Sequence, residues 1–184
     1  MRILGISGSL RRGSHNRKLL RAAADVLPSG AELVLWDGLA GLPAYDEDLE
    51  ERFTPAPVQE WRDALTAADA VLIATPEYNS SIPGALKNAL DWASRPFPDN
   101  ALKGKPVLVI GSSTGLFGAV WAQAETRKTL KAIGAHVLES ELPVGMADMA
   151  FAEDGSLADP ELAERLQSQL EDLLREVQAP VEQG

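Results

Sequence analysis

Thr75-Pro-Glu-Tyr-Asn-Ser-Ser-Ile-Pro-Gly-Ala-Leu-Lys-Asn-Ala-Leu-Asp-Trp-Ala-Ser-Arg95 is the stretch from which the rest of the chain is read. Before it, Asp69-Ala-Val-Leu-Ile-Ala74 is a short apolar run rich in β-branched residues, the pattern of a parallel strand buried on both faces. After it, Ile82, Leu86, Ala89 and Ala93 recur at helical spacing, and Pro83 suits a first turn. Between strand and helix lies Pro76-Glu-Tyr-Asn-Ser-Ser81, polar with one aromatic. A loop at the carboxyl end of a parallel strand is where open α/β sheets bind ligands. The same residue types also suit an ordinary turn, so the loop alone does not decide.

Working outward, the same alternation returns. Arg2 to Ile6 reads as a first strand, and Gly8-Ser-Leu-Arg-Arg-Gly-Ser-His-Asn16 as a loop of small and hydroxylated residues. Leu19, Leu20, Ala23 and Leu27 mark a helix with Asn16 as its expected N-cap. Glu32 to Trp36 reads as a second strand. Asp37 to Pro57 is a long connection rich in acids and proline, unusual in length unless ordered against something. Its simplest reading is a solvated crossover. Val58, Trp61, Leu65 and Ala68 give a second helical stripe. Lys105 to Ile110 is another buried strand, ending in Gly111-Ser-Ser-Thr-Gly-Leu-Phe-Gly118. Ala119 to Ile133 reads as a helix, and Ala135 to Leu138 as a fifth strand continued irregularly through Val144. Asp159 and Pro160 start a last helix whose apolar stripe is Leu162, Leu166, Leu170, Leu173 and Val177. Ala179 to Gly184 is expected to fray.

Strand and helix thus alternate five times, which predicts an α/β fold: a doubly wound, five-stranded parallel sheet with helices on both faces, in flavodoxin-like order 2-1-3-4-5. A chain of 184 residues without repeat or linker is expected to be one domain, residues 1–184. In that order the first, third and fourth strands bring the three loops to one crevice.

Composition narrows the function. A net charge of -10 disfavours nucleic acid. The absence of cysteine excludes disulfides, thiolate catalysis and cysteine-held metals, and two histidines are too few for a histidine-rich metal site. No run is long and apolar enough for a membrane span, and the amino end does not read as a signal peptide, so the expected address is cytoplasmic. His15 reads as a solvated residue at a helix start and His136 as a surface or edge position. Neither has an evident carboxylate partner in sequence. No acid–base or nucleophilic catalytic residue is assigned.

The first loop suits a phosphate. Ser7, Ser9, Ser14 and Asn16 supply donors, Gly8 and Gly13 let the backbone close in, and the following helix points its free N–H groups at the loop. Neither a P-loop nor a G-x-G-x-x-G fingerprint is present, so a monophosphate fits better than a pyrophosphate. That favours FMN over FAD or NAD as resident cofactor. Arg11 and Arg12 suit the phosphates of a nicotinamide nucleotide. Tyr78 reads either as a site aromatic or as a core residue with a bonded hydroxyl.

Pro76-Glu-Tyr-Asn-x-Ser-x-Pro-Gly-x-Leu-Lys-Asn-Ala-x-Asp-Trp-x-Ser-Arg95 closely resembles the signature of the NADPH-dependent FMN reductase family, the flavodoxin-like quinone, chromate and azo-dye reductases. Gly8-Ser-Leu-Arg-x-Gly-Ser-x-Asn16 resembles that family's phosphate loop, and Leu42-Pro-Ala-Tyr-Asp46 another of its stretches, so the crossover is expected to be ordered. The resemblance implies that Ser9, Ser14, His15 and Asn16 contact the FMN phosphate, with Arg11 near the flavin or the incoming NADPH. It implies that Pro76, Glu77, Tyr78 and Asn79 lie along the flavin ring, and that Ser112, Gly115 and Gly118 belong to the last flavin-contacting segment. Close relatives often carry two adjacent glycines where this chain has Gly118-Ala119.

The expected activity is therefore an FMN-dependent NAD(P)H oxidoreductase reducing quinones, azo dyes, chromate or free flavin in two-electron, ping-pong turnover. The alternative is a flavodoxin-like electron-transfer protein with no small-molecule substrate. A homo-oligomer, dimer or tetramer, is expected. The Pro83–Arg95 helix is apolar over so broad an arc, Ala85, Leu90 and Trp92 included, that a partner subunit is its expected cover, the alternative being that Trp92 folds over the sheet edge of its own subunit.

Overall fold

The structure, a computed structural model, describes residues 1–179. The expected fraying of the tail falls, beyond Ala179, outside the described residues.

The apolar runs form the strands. β1 (Arg2–Ser7), β2 (Glu32–Trp36), β3 (Ala70–Thr75) and β4 (Pro106–Ser112) align in parallel in the order β2-β1-β3-β4. The register pairs Ile3 with Ala70 and Val71 with Val107. Every residue of β3 is buried, as a central strand covered on both faces requires. The fifth position is shared by two short strands. β5 (His136–Val137) pairs with the start of β4 and β6 (Pro143–Val144) with its end. The strand expected over Ala135–Leu138 thus keeps two residues, and the irregular continuation rejoins the sheet where Gly111 N–H donates to the Leu142 carbonyl at 3.1 Å.

Period-two alternation sorts the strand side chains into two cores. Leu4, Ile6, Val71, Ile73, Val107 and Val109 face α3 (Ala56–Thr66), α4 (Gly84–Ala93) and α5 (Val120–Ile133). Ile3, Leu72, Ala74, Leu108 and Ile110 face α1 (His15–Asp25) and α6 (Pro160–Gln178). This is the flavodoxin-like α/β architecture with helices on both faces. Asp159 caps α6 as expected, accepting from the Glu161 N–H at 2.9 Å. No helix among the described residues is long and apolar enough to cross a membrane.

Two expectations fail. The cap of α1 is Ser14, not Asn16: Ser14 has extended backbone and its hydroxyl accepts from the Arg17 N–H at 3.3 Å. Asn16 already lies in the first turn, freeing its amide for another partner. The second concerns the cover of α4. The crossover carries a 3₁₀ turn over Gly38–Gly41 and the short α2 (Glu47–Arg52), and it folds over α4. Leu39 and Leu42 are buried, and both Trp92 Nε1 and Asn88 Nδ2 donate to the Pro43 carbonyl, at 2.9 and 2.8 Å. Tyr45 N–H donates to Asn88 Oδ1 at 2.8 Å, and its ring meets Trp92 edge-on at 4.9 Å. Trp92 is 0 % exposed. The broad apolar arc of α4 is real, but the chain covers it with its own crossover rather than leaving it for a partner.

Candidate active site

The carboxyl ends of β1, β3 and β4 are adjacent, and their loops close on one crevice. Gly8 N–H donates to the Ala74 carbonyl at 2.8 Å, tying the first loop to the end of β3, from which the second loop leaves. A Cβ on Gly8 would lie 3.0 Å from Leu86 and 3.1 Å from Pro76, so a side chain there would push the loops apart. The first and third loops are joined by Asn16. Its Nδ2 donates to the Ser112 carbonyl and its Oδ1 accepts from the Ser112 N–H, both at 2.9 Å in a buried setting.

One end of the crevice is polar. Ser9, Ser14 and Asn16 line it from the first loop, with Arg11 and His15 beside them. Ser9 N–H donates to Ser7 Oγ at 3.4 Å, and Arg11 N–H to Ser9 Oγ at 3.4 Å, so hydroxyls and amides gather at the start of α1. Ser112, Ser113 and Thr114 line it from the third loop, Pro76, Glu77 and Tyr78 from the second. The Ser112 hydroxyl and His15 Nδ1 are buried with no hydrogen-bond partner among the described residues. Orphaned buried polar atoms of this kind are usually matched by a ligand or water. His15 Nε2 lies 3.2 Å from the Asp148 carboxylate. At Arg11 and Tyr78 the crevice opens into a mostly apolar hollow of about 420 Å³ between Gly8–Leu10 and the start of α4. A polar end at a helix N-terminus joined to an apolar chamber suits an amphipathic anion.

Three expected site residues do not line the crevice described above, and the backbone places each of them. Asn79 and Ser80 have φ of 53° and 60°, while Tyr78 and Ser81 exchange both backbone hydrogen bonds at 3.2 Å. That is a turn of type I′ geometry, with Asn79 at its outer corner. The turn leaves Tyr78 48 % exposed at the rim, which removes the core-aromatic reading. Gly115 turns its carbonyl away to accept from the Met146 N–H at 3.0 Å. Gly118 has φ of 57° and is pressed against the main chain of Pro143 and Val144, which a Cβ would overlap.

The crevice also holds residues not singled out from the sequence. Ser113 and Thr114 had a signal, since they continue the hydroxyl run after β4. Asp148, which meets His15 from outside the crevice lining, had none, being distant from it in sequence. His136 likewise finds Glu176, at 2.9 Å on the surface. Burial lowers the pKa of Lys105, but this residue precedes β4 at the opposite end of the sheet from the crevice. Among the described residues no group of histidine and acidic side chains is placed to hold a metal ion.

With this geometry in place, the chain compares directly with known proteins. The family model described as NADPH-dependent FMN reductase matches residues 1–148. The chain belongs to the NADPH-dependent FMN reductase family. It is 44 % identical over 174 residues to an NAD(P)H-dependent FMN reductase of Pseudomonas aeruginosa, covering 94 % of this chain and 93 % of the relative. It is 39 % identical over 155 residues to a quinone reductase of Pseudomonas putida, covering 84 % and 83 %. Among solved structures it resembles FerB, a flavoenzyme NAD(P)H:(acceptor) oxidoreductase of Paracoccus denitrificans, with TM-score 0.84 and 36 % identity over 96 % of this chain and 97 % of that one.

Membership makes the protein an oxidoreductase with FMN as cofactor and NAD(P)H as co-substrate. The crevice fits that cofactor on its own observations. The hydroxyl and amide donors at the start of α1 match a phosphate, and the unpartnered Ser112 hydroxyl matches a polar ligand atom. The apolar chamber beside Tyr78 and Leu10 matches a planar ring system.

Proposed function

We propose that the chain is an NAD(P)H:acceptor reductase whose electron acceptors are small oxidants: quinones first, with azo dyes, chromate and free flavin as further members. Reductant and acceptor take turns in the same crevice. The observation that carries this reading is that the polar cradle and the apolar hollow share Arg11 and Tyr78 as a common border. The names of the Pseudomonas relatives support the acceptor class.

In this reading Ser9, Ser14, His15 and the N–H groups at the start of α1 hold the FMN phosphate. Pro76, Tyr78 and the main chain of Glu77 border the ring, as do Ser112, Ser113 and Thr114. Bound FMN supplies a carrier for two electrons, taken from NAD(P)H and given to the acceptor. The protein's share is placement: Arg11, exposed at the mouth with its guanidinium donating to the Gly13 carbonyl at a long 3.4 Å, can turn to nicotinamide-nucleotide phosphates, and the exposed Tyr78 ring offers a flat apolar edge to an aromatic acceptor. The whole chain, 1–184, works as one FMN-binding domain within a homo-oligomer, in the cytoplasm where NAD(P)H is held.

Steady-state kinetics with NADPH and a benzoquinone test the reading. Parallel double-reciprocal lines are expected from two substrates sharing one crevice. Intersecting lines would require both to bind together and would overturn it. Reduction of the bound flavin by NADPH with no turnover on any quinone would favour the electron-transfer reading instead.

A further inference from the structure

We infer that Glu77 is a positioning residue, its carboxylate capping α5 from across the crevice and thereby fixing the third loop at a set distance from the Pro76–Ser81 loop. The inference rests on the FMN-reductase reading of the crevice.

A helix leaves its first N–H groups without intrahelical partners, and a side chain at the cap position usually meets one of them. α5 has none of its own. Its cap residue is Ala119, left-handed at φ 62°, and its first turn holds no acidic residue. The missing acceptor comes from elsewhere: Glu77 Oε2 accepts from the Trp121 N–H at 3.0 Å and from the Ala122 N–H at 3.1 Å. A carboxylate at the positive end of the helix dipole, taking two charge-assisted bonds, is the strongest cap a side chain can make there.

A second contact lies about one turn further on. The Ser81 hydroxyl donates to the Glu125 carboxylate, so the segment 77–81 is fastened to α5 at both ends. Between these points the tight Tyr78–Ser81 turn leaves little slack. The Ser81–Glu125 contact is exposed and the weaker of the two. Glu77, half-buried, carries the link. On the far side Asn16 clasps the third loop to the first. Two side chains, Asn16 and Glu77, therefore hold the third loop in register with the other two, and neither needs a ligand to do so. The Phe117–Trp121 edge-on pair, 5.2 Å between ring centres, sits on the piece that Glu77 holds.

Three variants separate this role from the alternatives, with FMN affinity, thermal midpoint and amide exchange of the apoprotein as readouts. Glu77→Gln keeps an oxygen that can accept both N–H groups and is expected to bind FMN within about threefold of wild type. Glu77→Ala is expected to raise the FMN Kd about tenfold and to speed exchange at Trp121 and Ala122 even without cofactor. Glu77→Ala/Val120→Asp returns an acid to the first turn of α5 but not the bridge across the crevice. It is expected to recover thermal stability while FMN binding stays as weak as in Glu77→Ala.

Full recovery of FMN affinity in the double variant would mean that only helix stability mattered, and would overturn the inference. So would Glu77→Gln binding as weakly as Glu77→Ala, since the carboxylate would then act on the ligand itself. Unchanged binding in Glu77→Ala overturns the inference alone. A wild-type protein that takes up no FMN overturns the crevice reading, and the inference with it.

Discussion

The crossover Asp37–Pro57 and the third loop Ser112–Ala119 are two connecting segments in which packing and polar bonds carry different shares of the anchoring. The crossover turns most of its apolar side chains inward, with Phe53 the exception at 60 % exposed, and adds hydrogen bonds with Asn88 and Trp92 to that packing. Leu39 and Leu42 enter the core, and Tyr45 lies against Trp92. The third loop does the reverse. Leu116 is 70 % and Phe117 60 % exposed, followed by Trp121 at 48 %, and the loop is held by polar bonds from Asn16, Glu77 and Gln123. A segment that packs apolar groups under itself is anchored non-directionally, so its exact path can relax. A segment held by a few hydrogen bonds is located to within their short range and is lost when they go. The first arrangement suits a cover, the second a wall whose distance from a ligand matters.

The difference is broken most directly at Trp92. If the crossover is a hydrophobic cover, Trp92→Ala removes its largest buried contact and leaves the Pro43 carbonyl with one donor fewer. The expected loss is about 3–5 kcal/mol of unfolding free energy, read by urea denaturation. Trp92→Glu is expected to be insoluble or unfolded rather than dissociated. A folded, well-behaved Trp92→Glu protein that differs only in sedimentation would show that this face meets a partner after all.

The third loop is tested at Asn16. Asn16→Ala leaves the buried N–H and C=O of Ser112 without their partners. The expected cost is about 2 kcal/mol in stability. FMN affinity is expected to fall about tenfold, because the loop that carries Ser112 to Thr114 is then free to move. Asn16→Asp sharpens the point. It can still accept from the Ser112 N–H, but it offers no donor to the Ser112 carbonyl and sets a negative charge beside the phosphate cradle, so it should bind FMN more weakly than Asn16→Ala. Equal stability of wild type and Asn16→Ala would remove the clasp.

The same contrast explains what the sequence could and could not announce. The strand order follows from apolar runs and short connections, and β3 shows it plainly, being apolar from Ala70 to Ala74 because it is covered on both faces. The loops that meet at the crevice were legible because the expected strand order brings three polar loops to one end of the sheet, and Ser9, Ser14, Pro76 and Tyr78 all line it. Periodicity measured how wide the apolar arc of α4 is, but it carries no information on what covers that arc, and the cover proved to be the chain's own crossover. Asn16 was legible as a polar site residue but not as a clasp, since its partner is a backbone whose position depends on the sheet register. His15 and Asp148 meet only in three dimensions. The Tyr78–Ser81 turn lacks the Asn-Gly pair that usually marks this geometry, having Asn79-Ser80 instead.

The smallest expected effect lies at Ala119, where the third loop enters α5. Ala119 is left-handed at φ 62° and only 1 % exposed. For an L-residue that conformation costs about 1–2 kcal/mol, which glycine would not incur. Against this, Ala119→Gly removes a buried methyl group, about 0.8 kcal/mol, and adds backbone freedom to the unfolded chain, about 0.5–1 kcal/mol. The terms nearly cancel, so Ala119→Gly should leave stability within about 1 kcal/mol of wild type, although a buried alanine in an ordinary helical position would lose both terms with no relief. Chemical denaturation of the two proteins measures it. A loss well beyond that range would mean that the methyl group, and not only the hydrogen bonds, holds the loop, and the third loop would then share the hydrophobic anchoring that distinguishes the crossover.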